Sequence, residues 1–191
     1  MATTRVPAAA TWGLLAAWAV HDLEELVTAP GWVERAGPRL RRRLPWVPER
    51  VWDRVATDRG HTALAIGLVG LLIAAAAADG ARTGGRSRLY QLVLAGFGAH
   101  AVPHVASAVI TGGYPPGLLT TPTVVAPYAW WARRTLRAAG VPAAELPAAA
   151  LALIPLVIGA AHGGAAGLRR LAAQSARKYR TTGIGVNPAR S

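Results

Sequence analysis

Apolar positions in this chain gather into five long blocks separated by one long arginine-rich segment and by short turns. A helix needs about 20 mostly apolar residues to cross a bilayer, and residues 7–29, 61–81, 89–112, 117–139 and 145–168 each supply that length. The pattern predicts an all-α fold, an integral membrane bundle of about five transmembrane helices. One domain over residues 1–173 is expected, followed by a polar, disordered tail over residues 174–191. The fourth block is the weakest, because Pro122 and Pro127 interrupt it and Arg133 and Arg134 cut its far end. Proline is tolerated in a membrane helix where neighbours re-satisfy the freed carbonyls, so a kinked helix lining a cavity is expected there.

The segment between the first two blocks, residues 31–60, has a different texture. It carries Trp32, Trp46 and Trp52 among eight arginines, broken by Pro38, Pro45 and Pro48. Tryptophan favours the headgroup level and arginine favours anionic lipid, so short amphipathic pieces lying on the membrane surface are expected. Tyr128, Trp130 and Trp131 read as an aromatic belt at the opposite interface. Gly159, Gly163 and Gly167, at four-residue spacing, read as a face for close helix packing inside the bundle.

Composition sharpens this picture. Of 191 residues, 21 are Lys or Arg and nine are Asp or Glu, for a net charge of +12. A basic chain suggests nucleic acid, but the alternation of apolar blocks with arginine-rich loops fits a membrane protein better, and no nucleic-acid partner is expected. Fourteen of the basic residues fall in the 31–60 loop and the C-terminal tail, against seven on the other side. That bias puts the tail in the cytoplasm and the N-terminus outside, in the plasma membrane of a bacterium. Without cysteine, thiolate metal sites and disulfides are excluded. Arg5 before the first block imitates a signal peptide. However, His21, Asp22, Glu24 and Glu25 stand where a small-residue cleavage site would be, so this block reads as a retained span.

Those same residues carry the candidate chemistry. Ionisable side chains at membrane depth are costly and mark functional sites. On a helix, His21 shares a face with Glu24 and Glu25, which lets an imidazole and carboxylates converge. This is the Glu-x-x-His logic of carboxylate-rich metal bundles run in the opposite order. Asp22 points elsewhere. His100 and His104 share a face of the third block, with Pro103 between them loosening the backbone. With helices alternating up and down, all five histidines fall at or beyond mid-depth on one side. His21, Glu24, Glu25, His100 and His104 then occupy a layer on the order of 10 Å thick. The expected metal ligands are His21, Glu24, Glu25, His100 and His104, with His61 and His162 as weaker candidates. Glu24, Glu25 and Tyr114 are the candidate catalytic groups, with Tyr114 capping the pocket from a Pro-Gly turn. Imidazole and carboxylate donors suit zinc or non-haem iron, and no organic cofactor is expected. The alternative is hydrogen bonding between helices by neutral His and Glu.

The stretch His21-Asp22-Leu23-Glu24-Glu25 resembles the signature of the HXXEE family of small bacterial membrane proteins. His104, followed by Tyr114, Pro116, Gly117 and then Thr120 or Thr121, is similar to that family's second block. His100 stands where an asparagine is more usual. The resemblance implies a helical membrane fold and roles for His21, Glu24, Glu25 and His104, with little biochemistry attached.

The residues therefore lead to a small membrane enzyme using a His/Glu site, metal-dependent, on a hydrophobic lipid-like or isoprenoid substrate. Hydrolysis, oxidation, and isomerisation or cyclisation all remain open. A metal-ion or proton carrier is one alternative. It would need polar residues through the other half of the bundle, which looks apolar, and no internal repeat is evident. A metal-free acid–base isomerase or cyclase is another, and a structural or regulatory membrane subunit a third.

Overall fold

The computed structural model describes residues 5–144 and 153–182, and these are helical, with no strand among them. A short 3₁₀ turn at Ala8–Ala10 leads into α1 (Gly13–Thr28). Two short helices follow, α2 (Trp32–Arg43) and α3 (Glu49–Val55), and then the long α4 (Arg59–Arg82). Helices α5 (Arg88–Ala99) and α6 (Ala101–Thr111) run on from one another. A π-helical turn at Thr121–Val125 opens α7 (Ala126–Ala138), and α8 (Leu153–Thr182) ends the described chain.

Local chemistry explains most of these boundaries. Asp58 caps α4 by accepting the His61 N–H at 2.9 Å, and Ser87 caps α5 by accepting from Tyr90 N at 3.2 Å. Arg35 donates to the carbonyls of Thr28 (2.7 Å) and Pro30 (2.8 Å), closing the exposed end of α1. Pro103 has no N–H to give the Ala99 carbonyl and its ring crowds that group, so the helix is interrupted at His100. Near Pro122 and Pro127 the chain takes a π turn instead, in which Ala126 N–H reaches the Thr121 carbonyl. A π turn therefore stands where a kinked helix was expected in the fourth block.

Two of the described helices are long and apolar enough to cross a bilayer: α4, and the α5–α6 rod from Arg88 to Thr111. Twenty-four residues at about 1.5 Å each reach some 36 Å. The other three expected spans are shorter or only partly described. Helix α1 has 16 residues and carries the acidic motif, and α7 has 13. Residues 145–152 of the fifth block lie outside the described residues. Helix α8 continues to Thr182, through positions where composition predicted a disordered tail; residues 183–191 lie outside the described residues.

Helix α4 is the hub, packing against α1, α5 and α8. A Cβ on Gly70 would lie 2.6 Å from the Trp18 ring, so α1 meets α4 across that glycine. Leu14, Ala17, Ile73, Tyr90, Leu94, Phe97 and Val125 form part of an apolar core shared by α1, α4, α5 and α7. Tyr90 and Tyr128 both donate their hydroxyls to the Ala10 carbonyl, which fixes the entry to α1. Tyr128 is therefore an internal tether, not part of an aromatic belt with the exposed Trp130 and Trp131. Helix α8 packs through Ala161 and Ala165 against Ala65, whereas Gly159, Gly163 and Gly167 face open space. The glycine stripe therefore does not mediate packing among the described helices.

Helices α2 and α3 form a cap. Val33, Ala36 and Leu40 on one face of α2 bury against Trp52 of α3. The cap is tied to the turn after α6 through Trp32 Nε1, which donates to the Tyr114 carbonyl at 2.8 Å. Arg39 Nε likewise donates to the Thr111 carbonyl at 3.1 Å. Amphipathic pieces were expected here; their docking on the bundle through backbone carbonyls was not.

Candidate metal centre

Helix α1 presents His21 and Glu25 one turn apart, and the α5–α6 junction presents His100 and His104 one turn apart. One ligand atom from each of these four residues lies within 4.8 Å of every other. Glu25 Oε1 is 3.5 Å from His104 Nε2 and 3.8 Å from His21 Nε2. His100 Nε2 is 2.8 Å from His104 Nε2. His21 is 1% exposed, and its ring stands edge-on to His104, His100 and Phe97. Burial is compatible with imidazole here only because the outer nitrogens of two rings are satisfied.

That satisfaction also assigns protons. The Pro116 carbonyl can only accept, so His104 Nδ1, 2.8 Å away, carries a hydrogen and leaves its Nε2 lone pair directed at the cluster. The Thr120 hydroxyl donates its one proton to Glu24 Oε2 at 2.6 Å. It must therefore accept from His21 Nδ1 at 2.7 Å, and His21 Nε2 is again a free lone pair. That Nε2 is buried with no hydrogen-bond partner among the described residues, and so is His100 Nδ1. Outer nitrogens of His21 and His104 that donate to hydroxyl and carbonyl oxygens are held as in metal-bound histidines, while His104 Nε2 accepts from His100 Nε2 at 2.8 Å.

Glu24 departs from the expected ligand set. Its two oxygens accept from Leu119 N (3.1 Å), Thr120 N (2.8 Å), the Thr120 hydroxyl (2.6 Å) and the Tyr114 hydroxyl. Four donors saturate a carboxylate, so Glu24 serves as a latch for the 114–120 loop. Tyr114, expected as a cap over the pocket, is the far end of that latch. Burial, and then its bond to Glu24, hold the phenol above the ordinary tyrosine range. His61 and His162 also lie apart from the cluster. They stack on each other, His61 Nε2 facing His162 Nδ1 at 2.9 Å, and join α4 to α8 beside the Asp58–Arg169 ion pair. Asp22 is buried and contributes no ligand atom, in keeping with its position off the shared face.

The Tyr-Pro-Pro-Gly turn is thereby accounted for. Gly117 has φ +75°, and a Cβ there would lie 2.7 Å from Cε1 of both His21 and His104. Its backbone fills the space between the two rings, Pro116 and Thr120 hold their outer nitrogens, and Tyr114 anchors the loop. The roles of Pro116 and Thr120 were missed, because a carbonyl oxygen has no residue identity and threonine is ordinary near a turn. The nearby pairing of a Pro-Gly turn with a motif histidine was the available signal.

No curated protein and no solved structure matches this chain. A family described as "protein of unknown function with HXXEE motif" matches over residues 12–132, which contain every residue of the cluster and of the loop that braces it. With His21, Glu24 and Glu25 in that motif and well over half of the chain covered, this protein belongs to the HXXEE family.

Proposed function

We infer that this chain is a small membrane-embedded enzyme that holds one divalent ion on His21, Glu25, His100 and His104 and acts on a hydrophobic, lipid-soluble substrate. The observation that carries this reading is the convergence of three imidazoles and one carboxylate with the protons of two rings locked outward. Borderline nitrogen donors with a single carboxylate suit zinc or ferrous iron and disfavour calcium or magnesium, which demand oxygen. When bound, such an ion supplies a Lewis acid that polarises a substrate oxygen or acidifies a water. Glu25 has 24% of its side chain exposed, against 11% for His104 and 1% for His21, so the approach of a substrate is from its side.

Membrane embedding is supported by what the long helices do with their apolar residues. Leu71 on α4 is 70% exposed, and Val102 and Val109 on α6 are 69% and 71% exposed. A soluble protein hides such helices in its core, whereas a lipid-facing surface requires them outside. The arginine bias argues for a cytoplasmic C-terminal tail. An enzyme is favoured over a carrier because the polar layer stops at one level. Beyond it the shared core is largely apolar, with Leu14, Ala17, Ile73 and Leu94 among its buried residues.

The test is metal analysis of the purified full chain after anaerobic loading with zinc or ferrous iron and desalting. Wild type should retain one ion per chain, and His21→Ala and His104→Ala should lose it. Cobalt substitution gives an independent spectroscopic readout of nitrogen and carboxylate ligation. A wild type that retains no more metal than His104→Ala overturns the metalloenzyme and leaves metal-free acid–base chemistry at Glu25.

A further inference from the structure

A groove of about 650 Å³ runs between α5 and α7. Its floor is made of small residues, Ala95, Gly98 and Ala99 on α5 with Ala126 and Ala129 on α7, and Trp130 forms a wall. A Cβ on Gly98 would meet that of Ala129 at 2.9 Å, so the helices touch at the base and diverge above it. Spacings of three and four residues from Ala126 to Arg137 keep one face of α7 along the groove for about 16 Å.

One end of the groove is strongly cationic. Arg133, Arg134 and Arg137 all line it, and Arg133 and Arg137 also line a second cavity of about 240 Å³ beside Gln91 and Pro142. Neither Arg133 nor Arg137 has an anionic partner among the described residues. Arg134 sits over the Trp130 ring at 5.7 Å, which holds its guanidinium at the rim. A narrow apolar slot ending in two unpaired guanidinium groups is complementary to an amphiphile with a chain and an anionic head. Arginine forks match phosphate oxygens in pairs.

We propose that the groove between α5 and α7 binds one chain of a phosphate-headed anionic lipid, its phosphate seated on Arg133 and Arg137 where the two cavities meet. The site is independent of the metal cluster, and metal-free protein retains it. Flat charge attraction would accept any anion, whereas this site requires the chain as well as the head. The volume lies within the range of pockets that enclose small ligands.

Native mass spectrometry of the full chain in neutral detergent tests this, with phosphatidylglycerol, phosphatidylcholine and inorganic phosphate as probes. Phosphatidylglycerol should bind at least tenfold tighter than phosphatidylcholine, and inorganic phosphate should neither bind nor displace it. Arg133→Gln with Arg137→Gln should abolish the preference. Ala126→Leu, which fills the slot and leaves the arginines untouched, should weaken phosphatidylglycerol at least tenfold. All three positions are exposed, so these variants keep the fold. Equal binding of both lipids, displacement by inorganic phosphate, or undiminished binding by Ala126→Leu would each overturn the proposal.

Discussion

Gly117→Ala is the sharpest probe of how the candidate metal centre is built. Two costs arise at this position. The backbone is left-handed (φ +75°), where a side chain costs roughly 1–2 kcal/mol. The new methyl would also stand 2.7 Å from Cε1 of His21 and of His104, and 2.9 Å from His104 Nδ1. Overpacking of that kind costs about 1–3 kcal/mol, and relief requires the rings or the loop to move. Gly140 separates the two terms. Its φ is +72°, yet a Cβ there would meet nothing within 4 Å, so Gly140→Ala carries the backbone strain alone. Thermal unfolding of the purified variants should therefore show both destabilised, with Gly117→Ala exceeding Gly140→Ala by the packing cost. Zinc affinity, measured by competition with a chelator, should fall about 10- to 100-fold in Gly117→Ala, as it does when outer-shell partners are disturbed. It should be unchanged in Gly140→Ala. Equal stability losses with equal zinc affinity would refute the claim that the Gly117 backbone sets the spacing of the two imidazoles.

Three further outcomes follow from the same geometry. Thr120→Val removes the acceptor of His21 Nδ1–H and one donor to Glu24. It should cost about 10- to 100-fold in zinc affinity, with Thr120→Ser restoring most of it in the same competition assay. Tyr114→Phe deletes one of four donors to Glu24 at the exposed end of the loop. It should lower stability by about 0.5–1.5 kcal/mol and leave the ion count per chain unaltered. Asp58, fully exposed, is held below the ordinary aspartate value of 3.8, first by the His61 N–H it caps and then by Arg169. Its folded value is thus below its unfolded one, so its stabilisation is complete above 3.8 and is lost as pH falls through the folded value. Asp58→Asn should flatten that part of the acid limb in thermal unfolding followed against pH, leaving stability near neutrality only slightly lower.

Much of the helical content was legible because its cause is local. Apolar runs of sufficient length, Asp58 and Ser87 as caps, and Pro103 as a break all act within a few residues of themselves. The four cluster residues were legible for a related reason: spacings of four put His21 with Glu25 and His100 with His104 before any tertiary contact forms. With helices alternating up and down, the first and third blocks run in one direction, and position along them put the two pairs at one level. Helix α8 exceeded expectation, since a polar composition read as a tail does not forbid helix to Thr182.

What the sequence by itself determined was which residues could share a layer. Only the tertiary structure decided what each does there. Glu24 and Glu25 are neighbours of the same type, yet the 114–120 loop folds onto one and leaves the other beside the imidazoles. His61 and His162 face each other across the contact of α4 with α8 and contribute nothing to the cluster, although α4 also packs on α1. The physical reason is that a helix specifies height and face within itself, whereas which faces meet depends on close approaches such as Trp18 over Gly70 and the Gly117 backbone between two rings. Those approaches are set by residues far apart in the chain, and no local pattern records them.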